Sequence, residues 1–211
     1  MKLDLPQALL SVAAIAGGAT FAFLVVVLGR RWQEYDETRD YMSAMGAVGA
    51  PDAGAMTIAF VALGLGTAAF AFAMHHAVPG GGRQPLVLLL PLLAAPFMVT
   101  AGFVRCDAGC PFPGNTWHGT LHPLVAFPSF IVVGPAPFFF APLLRQDERW
   151  RFLVAPSLFA GAAVLATGIL TATFHFTLDE WKGLAERISL GLALLWIAML
   201  SARALYLARS P

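Results

Sequence analysis

An all-α, polytopic transmembrane bundle of six helices is the fold class this sequence predicts, and three observations predict it. Hydrophobic residues make up 58% of the 211 and charged residues 12%, about half the charged fraction of a soluble domain. Six nearly uncharged runs approach or exceed ~18 residues, the length a helix rising about 1.5 Å per residue needs to cross about 30 Å of hydrocarbon. The alternating pattern of a membrane barrel is missing, so helices must satisfy the backbone in lipid.

The first run, about residues 8–28, follows Lys2 as a signal-peptide core would. It is about twenty residues long and lacks a convincing small-residue cleavage site, so it reads as a span. The second run, about 54–74, follows an acidic segment carrying Glu34, Asp36, Glu37, Asp40 and Asp52. The third, about 85–104, follows the turn VPGGGR (78–83). The fourth, about 119–142, opens at the end of FVRCDAGCPFPGNTWHGTLHP (103–123), the most polar stretch between apolar runs. The fifth, about 152–174, follows the short basic loop 143–151, and the sixth covers about 185–207. They make one transmembrane domain over 1–211. Glycines recurring at Gly17, Gly18, Gly64, Gly66, Gly161 and Gly168 suit close helix approach, which replaces the hydrophobic drive absent between spans in lipid.

A net charge of +1 supplies no basic stripe for nucleic acid. Neither a glycine-rich phosphate loop nor a 20–50-residue repeat is found, which excludes nucleic-acid and nucleotide readings.

An even number of spans puts both termini on one side, with the 75–84 and 143–151 loops. Lysines and arginines divide almost evenly between the sides, and Arg30-Arg31 argues locally against termini inside. The basic 143–151 loop, the acidic first loop and the cysteine pair, suited to an oxidising exterior, favour a multi-pass plasma-membrane protein with both termini cytoplasmic.

On this topology the polar side chains gather on the outer side: Asp40 and Ser43 in the first loop, Asp107, His118 and His122 in the second, His175 and Arg187 at the third. His118 and His122, at i and i+4, share a helix face and have the spacing of metal ligands. If Pro123 instead takes the first helical position, His118 falls in the loop and that face disappears. The plain alternative for each histidine is a seat in the wet interface. Cys106 and Cys110 are too few for a four-cysteine zinc site; a small disulfide ring and free or buried thiols both stand as readings. Asp107 reads as ligand, general base or helix cap. Arg187 is expensive so near hydrocarbon without a partner, and Asp107 or Asp40 is expected to supply one. Asp107, His122 and Arg187 are expected to share one network.

The segments YMSAMGAVGAP (41–51), FVRCD (103–107), GTLHPLVAF (119–127) and GLAERISLGLALLW (183–196) resemble the six-helix prokaryotic membrane family called domain of unknown function 998, over nearly the whole chain. Ser43, Gly46, Asp107, His122 and Arg187 match its features. The serine-glycine pattern and the histidine opening the fourth span are also distantly similar to DRAM-type membrane proteins. These resemblances imply an integral membrane protein with polar anchors on one face, and no reaction.

The function expected is a bundle with an outward-facing polar pocket that binds a membrane lipid or a membrane-protein partner and requires no cofactor. An alternative is a zinc-dependent hydrolase of a lipid amide or ester, with Asp107, His118, His122 and His175 on the metal and Ser43 nearby. That residue set is similar to the ceramidase and adiponectin-receptor-like superfamily, although the order along this chain departs from it. A second alternative uses the histidines as axial ligands of haem.

Overall fold

The computed structural model describes residues 4–78, 84–177 and 179–209, with side chains described except at 84–87, 130 and 174–177. All regular elements among the described residues are helical. Helix α1 (Leu5–Arg31) opens on Asp4, whose carboxylate accepts from the Gln7 N–H at 3.2 Å, with Pro6 in the first turn where a missing N–H costs nothing. After a 3-10 turn (Met42–Gly46) come α2 (Ala53–Ala77) and α3 (Gln84–Phe103). The fourth run is not one helix. It divides into α4 (Trp117–Val133) and α5 (Ala136–Leu144), because the chain turns at Gly134 and Pro135, where a missing N–H and a constrained φ break the ladder. A short α6 (Glu148–Arg151), then α7 (Val154–Thr177) and α8 (Lys182–Arg209) complete the bundle.

Among the described residues five stretches are long and apolar enough to cross a membrane: Leu5–Arg31, Ala53–Ala77, Trp117–Leu144, Val154–Thr173 and Asp179–Arg209, with Leu88–Phe103 a shorter apolar helix beside them. These are the predicted runs, extended by a few residues at most ends. Helices α1 and α2 approach until backbone meets backbone: a Cβ on Gly66 would lie 2.9 Å from the Gly17 Cα. Only glycines allow that contact. Toward the end where the termini lie, Trp196 meets Phe70 and Phe140 edge to face while those two rings stack on each other, and the Trp196 indole donates to Ser157 Oγ at 3.0 Å, so the buried N–H is satisfied.

The two ends of the bundle are distinct. At one end Asp4 N–H donates to the Ala208 carbonyl, and Arg203 Nε donates to the Arg149 carbonyl, which brings together both chain ends and the basic loop. At the other end the segments 32–52, 104–116 and 179–183 meet. Val48 N–H donates to the Cys106 carbonyl and Leu184 N–H to the Thr38 carbonyl. Asp40, Ser43, Asp107, His118, His122 and Arg187, which the sequence places on one side, lie at this end.

Candidate functional site

The floor of the site is built by pinning the first loop onto the start of α8. A helix N-terminus has unpaired N–H groups, and Thr38 supplies a carbonyl to one of them, that of Leu184. In return, the Glu186 carboxylate accepts from Met42 N–H at 2.6 Å. Arg187 completes the clasp. It donates to the carbonyls of Asp40 and Gly183, each at 3.0 Å, and to the Tyr35 hydroxyl. The expected carboxylate partner is therefore replaced by carbonyl oxygens, and Asp40 takes part through its backbone; its side chain accepts from Arg39. Burial pushes the Tyr35 hydroxyl well above its ordinary range, with Arg187 pulling against it, so it stays protonated and donates toward the Tyr41 carbonyl at 3.1 Å.

The second loop solves a different problem, the exposed ends of α3 and α4. Carbonyls at the end of α3 have no intrahelical donors, and both histidines of α4 turn to them. His122 Nδ1 lies 2.5 Å from the Val104 carbonyl, and His118 Nδ1 lies 3.1 Å from that of Arg105. Helix α4 begins at Trp117, so Pro123 sits inside it and both histidines are helical. Asp107 serves the N-terminus of α4. Its carboxylate accepts from Asn115 N–H at 2.6 Å, Thr116 N–H at 3.0 Å and the Thr116 hydroxyl at 2.5 Å. The Thr116 hydroxyl bond foremost, with the two amides, holds its pKa below the ordinary carboxylate range. A side chain on Gly119 would collide with that carboxylate. His118 Nδ1 stands 3.9 Å from Asp107 Oδ1.

The expected network of Asp107, His122 and Arg187 thus divides in two. Arg187 belongs to the α8 clasp, while Asp107 and His122 belong to the α3–α4 junction, and no hydrogen bond or ion pair joins Arg187 to either among the described residues. No group of three or more His, Cys, Asp or Glu residues is placed to hold a metal among the described residues. The His175 side chain lies outside them. Cys106 and Cys110 are joined as a disulfide with Cα atoms 5.0 Å apart, which decides between the two cysteine readings. Gly109 and Cys110 both adopt positive φ, +78° and +51°, to close so short a ring. Ser43 is buried beside it, with Oγ 3.5 Å from Cys110 Sγ.

Between these two constructions lies a cavity of about 640 Å³. Its origin is the α4–α5 break. Helix α4 packs against α3 and hardly touches α7, whereas α5 leans onto α7, so α4 and α7 diverge toward the loop end. The walls are apolar, and Leu124, Ile131 and Ile169 at the cleft are 61%, 70% and 63% exposed, facing outward where the bilayer would be. Tyr41, Ser43, His122 and Glu186 supply polar groups around it. Glu186 and Tyr41 were not singled out as site residues from sequence. The signal for Glu186 was present: an acid at the entry of an apolar span is costly there unless it has a task.

The sequence matches the family described as Protein of unknown function (DUF998) over residues 15–203. The chain belongs to this family. The match reaches into every spanning helix and contains both the α8 clasp and the α3–α4 junction of this DUF998 protein. No curated protein and no solved structure matches the chain. It is a helical membrane protein of the DUF998 family.

Proposed function

We propose that this protein is a single-domain, multi-pass plasma-membrane protein that binds a membrane lipid in the cleft between α4 and α7. The loop end faces outward and both termini lie in the cytoplasm. The observation that carries the reading is the cleft itself: about 640 Å³, apolar-walled, opening sideways between two spans and bordered by polar groups at one end. That volume lies in the range of small-molecule sites, about 300–1,000 Å³. Lateral opening admits a molecule that is already dissolved in the bilayer. Orientation rests on the basic 143–151 loop lying with the chain ends and on the disulfide at the opposite end.

Two measurements test the reading. A photoactivatable lipid in vesicles should label peptides of α4 and α7, and Ala172→Trp, which fills the cleft from an exposed alanine on its wall, should abolish that labelling. Labelling of helices elsewhere, untouched by the substitution, would reject the cleft. A thiol probe placed at Gln146 in a cysteine-free background should react only after the membrane is opened; reaction from outside intact cells would reverse the orientation.

A further inference from the structure

Two of the polar side chains presented to the cleft, His122 and Glu186, offer acceptors, and the hydroxyls of Tyr41 and Ser43 beside them can accept as well as donate. His122 is 5% exposed, and its Nδ1 is committed to the Val104 carbonyl. A carbonyl only accepts, so Nδ1 carries the hydrogen and Nε2 of the neutral ring is an acceptor. That Nε2 is buried and has no partner among the described residues. Glu186 borders the same cavity with a carboxylate, an acceptor that satisfies one oxygen with Met42 N–H. The backbone of α4 adds more. Pro123 and Pro128 have no N–H, so the carbonyls of Gly119 and Leu124 lose their usual intrahelical donors, and Gly119 and Leu124 both line the cavity. Meanwhile no lysine or arginine lines it among the described residues: Arg187 is held by the clasp, and Lys182 pairs with Asp179 and lies over the Tyr41 ring.

Acceptors in an apolar setting call for donors, because a buried polar group without a partner is costly. An anionic head would bring acceptors to acceptors and negative charge toward a carboxylate. We infer that the ligand of this cleft is an amphiphile whose head donates hydrogen bonds and bears no negative charge, such as a long-chain amine or alcohol, and that His122 Nε2 and Glu186 are its recognition groups. This rests on the reading of the cleft as a lipid site and assigns the head that the site selects.

The experiment uses the full-length protein in phosphatidylcholine nanodiscs and three photoactivatable probes with identical hexadecyl chains ending in an amine, an alcohol or a carboxylate. The amine and the alcohol should label α4 and α7 about tenfold more than the carboxylate at equal concentration, the size expected from one unmet hydrogen bond. Ala172→Trp should remove labelling by all three. Glu186→Gln should reduce the preference for the amine over the carboxylate, and His122→Phe should reduce labelling by the alcohol, each with the disulfide intact by mass spectrometry. Equal or stronger labelling by the carboxylate, still removed by Ala172→Trp, would overturn the head-group inference and leave the cleft as a lipid site. Labelling unaffected by Ala172→Trp would overturn both.

Discussion

Arg187 of α8 donates at 3.0 Å to the backbone carbonyl of Asp40, while the Asp40 carboxylate accepts from Arg39 and from Asp36 N–H. Removing the arginine and removing the acid are therefore unequal acts. Arg187→Ala strips donors from the Asp40 and Gly183 carbonyls and should cost about 1–3 kcal/mol. Asp40→Ala keeps the carbonyl and loses only partly exposed pairing, worth under about 1 kcal/mol. Thermal unfolding of the two variants in detergent decides it; equal losses would return the carboxylate to the role of partner.

Asp107 should give the loop end an acid sensitivity. Its folded pKa is depressed below the ordinary value of 3.8 by the Thr116 hydroxyl and two amides. A depressed carboxylate contributes stability that is present above its unfolded pKa and is lost as pH falls through the folded one. Melting temperature should therefore be steady near neutrality and drop below about pH 4. In Asp107→Asn the drop should be shallower, while the other depressed acids, Asp36, Asp40 and Asp147, act alike in both proteins. Parallel pH profiles would show that the carboxylate is not held as described.

The α1–α2 contact predicts opposite results for two glycines of one helix. Gly66→Leu forces a side chain against the Gly17 backbone and should cost at least about 1–3 kcal/mol. Gly54, in the first turn of α2, has open space where a Cβ would stand. Gly54→Ala should be neutral or stabilising by about 0.4–1 kcal/mol. Unfolding curves of both would expose a wrong register if Gly66→Leu were tolerated.

The disulfide predicts that alkylation of the native protein without reductant leaves both cysteines unlabelled, and that prior reduction labels both. Because the ring spans only five residues, its entropic effect on stability is small. Cys110→Ser should instead disturb its buried neighbour Ser43, 3.5 Å away, and alter lipid labelling in the cleft. Free thiols in the untreated protein would contradict the pairing.

The spans were legible because bilayer thickness imposes a length on every apolar run, and that constraint acts on each run alone. Helix capping was half legible. Asp107 could be read as a cap, but no spacing revealed that it caps α4 from across the loop, since its partners Asn115 and Thr116 are brought to it by the turn through Gly109. Arg187 was recognisable as needing a partner; a backbone carbonyl has no letter in the sequence, so Asp40 was named for the wrong atom. Pro135 was visible, yet the run from 119 to 142 was apolar on both sides of it and read as one helix. The cleft that follows from the break was not legible at all, because it is made by two helices failing to touch.

Gln7, buried near the start of α1, donates its side-chain amide to the carbonyl of Ala204 at 2.7 Å, a contact 197 residues long in sequence. During translation α1 therefore waits for α8, with an amide that no intervening segment satisfies among the described residues of the finished bundle. A chain halted before α8 is made presents that amide without its native acceptor, together with the face of α1 that α8 would cover. The unfinished protein thus differs chemically from the finished one in α1 itself.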